Sequence, residues 1–186
     1  MRSFLFSMAL GILLTASCQY QNNQNTILDS SNKLKTNTSN DWDYWICSLE
    51  GNSGTIKTYT SNDWDNWQYL LDGQSGRIKT NTSNDWDYWL VNNGALKIKT
   101  YTSEDWDYWE ITGSNIHIRV KTYSSNDWDY WQVSGDATAR LKTFSSNDWD
   151  HWDITGDFSN LTPEIQAAIL FIPIFTSSIH QQGICL

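Results

Sequence analysis

The sequence predicts an all-β protein of six tandem antiparallel β-hairpin repeats, each 20–22 residues long, closed off by a C-terminal capping helix. A β-solenoid is the alternative. Three observations lead there. A K-T pair recurs at Lys35, Lys57, Lys79, Lys99, Lys121 and Lys142, and internal repeats of this period mean an array of small supersecondary units. All twelve tryptophans fall in these six copies as W-D-x-W pairs. On either side of each S-N-D-W turn, as in "RIKTNT" and "WDYWLV", apolar and polar residues alternate with the period of two that marks strands.

The alternation also selects a register. Pairing Thr80 with Trp89 and Ile78 with Val91 keeps the apolar residues on one face, whereas a slip of one residue would split them. The other face then pairs Lys79 with Leu90, Asn81 with Tyr88, Tyr101 with Tyr108, Tyr123 with Tyr130 and Phe144 with His151. It also sets Lys99 opposite Glu110 and Lys142 opposite Asp153, opposite charges where a sheet favours them.

The second tryptophan of each pair (Trp45, Trp67, Trp89, Trp109, Trp131, Trp152) shares its face with Ile, Val and Leu. These six are assigned to the core, each burying ~150–250 Å². The first tryptophan (Trp42, Trp64, Trp86, Trp106, Trp128, Trp149) falls in or beside the turn and is assigned to the Lys and Tyr face or its rim. In the turn itself, Ser and Asp suit side-chain bonds to backbone amides, and Asn tolerates a left-handed conformation. Glu104 replaces that Asn once, which suggests a looser loop. The motif distantly resembles the Asp-box hairpin of sialidases and other propeller proteins. It lacks the Asp-box glycine and carries its Trp one place early, so the resemblance implies turn logic and no sialidase activity.

Four segments follow: 1–17 as a signal peptide, 18–32 as a polar tether, 33–156 as the repeat domain and 157–186 as a C-terminal cap. Arg2, the apolar run Phe4–Leu14 and the small residues Thr15-Ala16-Ser17 have the layout of a secretory signal, too short to span a bilayer. L-T-A-S-C resembles the lipobox of bacterial lipoproteins, with Thr15 where a leucine is more usual. That resemblance implies lipidation of Cys18 and a lipid-anchored place in the bacterial cell envelope, at the outer membrane or cell surface. An ordinary secretory signal with an incidental cysteine is the alternative. "QYQNNQNTILDSSN" has too little apolar surface to offset the cost of ordering and reads as the tether. Cys47 and Cys185 suit a disulfide in an exported chain, yet their spacing does not establish one. Near the end, Thr162 and Pro163 mark a helix start, and the apolar "EIQAAILFIPIF" is expected to stop at Pro173, giving a capping helix over 162–172.

Composition and motif then narrow function. The formal net charge is −9, which argues against nucleic acid and against docking on an anionic membrane, so contact with a membrane is expected only through the N-terminal lipid. No C-x-x-C motif is present, His117, His151 and His180 are scattered, and no metal or cofactor is expected. An enzyme needs one asymmetric constellation, whereas every Asp pair here has five near-copies, so the chain is expected not to be an enzyme. N-D-W-D offers oxygens at calcium-loop spacing but lacks the Gly and distal Glu of an EF-hand. T-x-T resembles the Thr arrays of ice-binding solenoids, but the register turns those threonines inward. A non-catalytic binding surface for a carbohydrate or a cell-surface protein is the favoured expectation, with a purely structural or spacer role as the alternative. The expected binding residues are the six first tryptophans, Tyr44, Tyr88, Tyr108 and Tyr130, and Asp43, Asp65, Asp87, Asp107, Asp129 and Asp150 as hydroxyl acceptors.

Overall fold

A computed structural model describes residues 32–183. The signal segment, Cys18, Cys185 and all of the tether but its last residue lie outside them. Twelve strands follow in order: β1 (Asn32–Thr36), β2 (Tyr44–Leu49), β3 (Asn52–Thr58), β4 (Asn66–Leu71), β5 (Gln74–Thr80), β6 (Tyr88–Val91), β7 (Leu96–Thr100), β8 (Tyr108–Gly113), β9 (Ile116–Thr122), β10 (Tyr130–Gly135), β11 (Ala139–Thr143) and β12 (His151–Gly156). Each is antiparallel to the next, and β12 pairs back onto β1, so the hairpins close into a barrel rather than an open row or a solenoid. Asn32, assigned to the tether from sequence, is the first residue of β1, and its Oδ1 accepts from the Glu50 N–H at 2.6 Å.

The register matches the sequence expectation. Thr80 sits opposite Trp89, Ile78 opposite Val91 and Lys79 opposite Leu90. Lys99 faces Glu110 and Lys142 faces Asp153. The ion pair at Glu110, however, goes to the other neighbour, with Arg119 Nε at 3.6 Å. The strands alternate inward and outward, and Trp45, Trp67, Trp89, Trp109, Trp131 and Trp152 are all 0–1 % exposed. Thr36, Thr80 and Thr143 are buried as well.

Closure follows from the two kinds of turn. At one end, Glu50-Gly51 and Asp72-Gly73 have positive φ at both positions, the type I′ geometry that matches strand twist. At the other end each four-residue T/S-S-N-D turn puts its third residue at φ 59–64° (Asn40, Asn62, Asn84, Asn126, Asn147), as a type II turn demands. Glu104 adopts φ 62° too, so its loop has the same geometry as the rest and is not looser. Lys35 lies level with Ile46 and hence with Thr55, two residues short of Lys57. The same offset of two recurs at each of the six repeats, which gives a shear of twelve for twelve strands. Twelve strands ~4.8 Å apart and tilted by ~36° make a barrel of radius roughly 11 Å. Wall side chains alone cannot fill so wide a lumen.

The C-terminal helix fills it. α1 (Pro163–Gln181) is buried on every side from Ala167 to Ile179, and its aromatic residues meet rings from opposite parts of the wall. Phe171 packs on Trp67 and Trp89, Phe175 on Trp86, Trp89 and Trp106, and His180 on Trp128 and Trp149. The expectation of an external cap ending at Pro173 is therefore corrected. A helix apolar all round must be buried all round. Pro173 costs a helical hydrogen bond, but the enclosing wall holds the backbone on course. Beyond it, Thr176 Oγ1 donates to the Ile172 carbonyl and Ser178 Oγ to the Ile174 carbonyl, which satisfies polar groups inside the barrel.

The outside is the reverse of a membrane-spanning barrel. Its strands are 4–7 residues long, against about 9–11 for a spanning strand, and they point lysines and arginines outward.

Candidate functional site

Each W-D-x-W turn proves to be a clasp between repeats. The second tryptophan donates its Nε1–H to the carbonyl of the first, as Trp45 does to Trp42 at 2.9 Å and Trp89 to Trp86 at 2.7 Å. The aspartate between them reaches into the next repeat. Asp65 accepts from Ser83 Oγ (2.8 Å), the Asn84 N–H (3.0 Å) and Trp86 Nε1 (2.7 Å), while its carbonyl accepts from the Thr80 N–H. Asp107 and Asp129 hold the following Ser, Asn and Trp in the same way. Asp43 and Asp87 take the Ser and the backbone N–H, and Asp150 closes the circle by accepting from Ser39 at 3.2 Å. Asp87 Oδ1 is left unpaired, and its counterpart Trp106 lies instead against Trp86, Trp109 and Phe175.

These bonds govern the titration of the clasp. Burial alone would raise Asp129, but the Asn147 N–H, Ser146 and Trp149 outweigh it and hold the carboxyl below its ordinary range. Asp43 is likewise lowered against desolvation, by Ser61, Asp41 and the Asn62 N–H. Its neighbour Asp41 is raised by burial and by sharing a hydrogen bond with Asp43.

Two parts of the predicted site are thus relocated. Trp42 is buried, and Trp64, Trp86, Trp106, Trp128 and Trp149 are half-buried and packed against the interior, where they line the clasp end of the barrel around the helix. They form no outer aromatic face, because the turn carries them inward over the end of the lumen. The six aspartates Asp43, Asp65, Asp87, Asp107, Asp129 and Asp150 are engaged in joining repeats. Only Tyr44, Tyr88, Tyr108 and Tyr130 stand on the outer wall as expected.

That wall carries aromatic residues that the predicted set omitted. Tyr59, Tyr101, Tyr123 and Phe144 are 51–65 % exposed. Tyr101 stacks on Tyr108 at 4.6 Å, Tyr123 on Tyr130 at 5.0 Å and Phe144 on His151 at 5.0 Å. Between one hairpin's aromatic and the next lies a groove with a lysine beside it. One groove, of about 250 Å³, runs between Tyr44 and Tyr59 with Lys57, Ser61 and Gln68 along it and Asp43 at its clasp end. Its counterpart four repeats further along the chain, of about 420 Å³, lies between Tyr130 and Phe144 with Lys142 and Ser146, and Asp127 and Asp129 border it at the clasp end. The register places Tyr88, Lys99 and Tyr101, and Tyr108, Lys121 and Tyr123, in the same relation. In the remaining two repeats polar residues take these places, Asn66 with Asn81 and His151 with Asn37. The register itself was the sequence signal for this set, since it already put Tyr101, Tyr123 and Phe144 on the outer face.

A further cavity, of about 260 Å³, opens at the far end among Cys47, Glu50, Phe158 and Gln166. Its polar groups are engaged locally: the Phe158 N–H donates to Glu50 at 2.7 Å, and Gln166 Nε2 donates to the Phe158 and Leu161 carbonyls. Burial pushes the Cys47 thiol up to about 12, far from a reactive thiolate.

No family model, curated protein or solved structure matches this chain.

Proposed function

We propose that this protein is an exported, lipid-anchored, non-catalytic module whose barrel wall binds carbohydrate chains. One observation carries the proposal: at four of the six inter-hairpin seams an exposed aromatic ring and a half-buried one flank a lysine, and at two of them a groove rimmed by Ser, Asp and other polar side chains lies between the rings. Such rings suit the apolar face of a sugar, and the polar groups beside them suit its hydroxyls. Several weak, equivalent sites on one rigid wall gain from multivalency. The anchor rests on the lipobox-like L-T-A-S-C and Cys18, which would place the barrel in the bacterial cell envelope.

The purely structural or spacer role has its own support, because the W-D-x-W network is fully accounted for by closing the barrel. The two separate cleanly by experiment. The chain from Gln19 onward is applied to a glycan array beside the variant Tyr101→Ala/Tyr123→Ala/Phe144→Ala. The binding proposal expects the parent to retain glycans and the variant to lose them at an almost unchanged melting temperature, since these rings lie outside the core. A parent that retains no glycan leaves the spacer role.

A further inference from the structure

Every lysine and arginine among the described residues lies on the odd-numbered strands and points outward. Equivalent positions of a closed six-fold repeat share one height, so Lys35, Lys57, Lys79, Lys99, Lys121 and Lys142 form a ring around the wall. Two residues away, Lys33, Arg77, Lys97, Arg119 and Arg140 form a second ring. Only Glu110 and Asp153 on the strands oppose these eleven cations. Among the described residues, Arg119 alone of the eleven is in an ion pair. The acidic residues are gathered at the two ends, and at the clasp end Asp43, Asp127 and Asp129 border the grooves. The D-W-D aspartates and Glu104 crowd the clasp end, and Glu50, Asp72, Asp136, Asp157 and Glu164 lie at or beside the other. The net charge of −9 therefore conceals a strongly basic wall between two acidic rims. The composition-based argument against anionic partners applies to those rims and not to the wall.

We infer that the wall takes an acidic polysaccharide, a chain carrying uronate carboxylates or sulfates at intervals. This rests on the carbohydrate reading above and names its ligand class. Charge complementarity selects the class, and spacing narrows it. On a barrel of roughly 11 Å backbone radius, the Cα atoms of six equivalent lysines fall about 11 Å apart and their outward ammonium groups farther. That suits a chain charged at wide intervals and is far sparser than the ~3.4 Å phosphate repeat of a nucleic-acid strand. A duplex, with a persistence length of ~50 nm, also cannot follow so tight a curve. The rings lie beside the charges: Lys57 Nζ stands 4.9 Å from the Tyr44 ring, Lys99 Nζ 4.9 Å from Tyr88, and the Arg77 guanidinium 3.5 Å from Tyr59. A sugar ring seated in a groove thus brings its carboxylate to a cation already held against an aromatic.

The test uses the chain from Gln19 onward, which keeps the whole barrel and helix, in titration calorimetry. Three probes of equal length are compared: an oligosaccharide alternating uronate with an uncharged sugar, a neutral β-glucan oligosaccharide, and oligothymidylate. The uronate chain should bind at least tenfold tighter than either of the others. Its affinity should fall severalfold between about 50 and 500 mM salt, where the screening length shrinks several times over. Lys99→Gln/Lys121→Gln/Lys142→Gln, exposed changes that keep the side-chain stems, should weaken it tenfold or more at an unchanged melting temperature. Equal, salt-independent binding of the neutral glucan overturns the acidic ligand and leaves the carbohydrate proposal standing. Tighter binding of oligothymidylate overturns the assignment to a polysaccharide. Binding of no saccharide overturns both.

Discussion

Phe175 is the sharpest test of a helix that fills the barrel. It lies beyond Pro173, where the sequence expectation had the helix already ended, and in the structure it is fully buried. Its ring meets Trp89 at 4.7 Å, Trp106 at 5.5 Å, Phe171 at 5.6 Å and Trp86 at 5.8 Å. Phe175→Ala removes all four contacts. Buried Phe→Ala changes cost about 3–5 kcal/mol, and the spread reflects how far the surroundings collapse into the space. Here they cannot collapse, because the wall is a closed hydrogen-bonded ring. The loss should therefore lie near ~5 kcal/mol, a large part of the ~5–15 kcal/mol that holds a typical domain together. Urea unfolding followed by tryptophan emission measures it, with Phe144→Ala, 65 % exposed, as the control expected to change stability by about 0.5 kcal/mol or less. A loss below about 1.5 kcal/mol for Phe175→Ala would refute the filled lumen, because an exposed Phe costs that little.

Trp89→Ala should destabilise by about 3–5 kcal/mol, and Trp86→Ala by about 2–3 kcal/mol because it is half-buried yet leaves Asp65 Oδ1 unpaired; equal losses in denaturation would contradict this ranking. Asp129→Asn should cost about 1–3 kcal/mol at neutral pH through its charge-assisted bonds. Because the folded Asp129 carboxyl titrates below its unfolded value, the parent gains from it above about pH 4 and loses that gain as pH falls through the folded pKa. The variant should show a shallower acid limb in melting temperature against pH. Glu104→Asn should raise stability by about 0.5–1 kcal/mol, since Asn tolerates φ 62° better than Glu; a lower melting temperature would show that the turn is not strained. Cys18→Ala should abolish incorporation of labelled fatty acid into the exported chain, and a parent that takes up no label would favour an ordinary secretory signal.

Much of the wall was legible because strands obey a period of two and little else. Ile78, Thr80, Trp89 and Val91 sort to one face whatever the barrel does, so the register and the core tryptophans follow from pattern alone. Even the shear was within reach: the two-residue Glu50-Gly51 turn puts Leu49 opposite Asn52, and from there Ile46 opposite Thr55. The turn residues were not legible in this way. Trp86 lies outside the alternation, and its partner Asp65 belongs to the previous repeat, so neither its direction nor the use of that carboxylate shows in one repeat unit. The helix was misjudged because Pro173 was given more weight than the missing polar face from Ala167 to Phe175, a local rule that tertiary enclosure overrides. The basic wall escaped notice because net charge averages over surfaces that the fold separates.

The number of repeats, the tryptophans and the helix are bound together by geometry. Barrel radius grows nearly in proportion to strand number, so five, six or seven hairpins give radii of roughly 9, 11 and 13 Å. A helix with its side chains takes up a radius of about 5–6 Å. Five hairpins would leave only ~3–4 Å between helix and wall, too little for an inward indole, and seven would leave ~7–8 Å, a gap that no natural side chain closes all round. Six leave ~5–6 Å, a single layer of large rings. That layer is Trp45, Trp67, Trp89, Trp109, Trp131 and Trp152, one from each repeat and each fully buried. A tryptophan in every copy is thus the side chain that a six-hairpin barrel closed around one helix requires, which leaves the outer Tyr, Phe and Lys positions free of that constraint. The outer aromatic positions are where the repeats differ from one another, Tyr59, Tyr101, Tyr123 and Phe144 against Asn37 and Asn81, and where a ligand would be read.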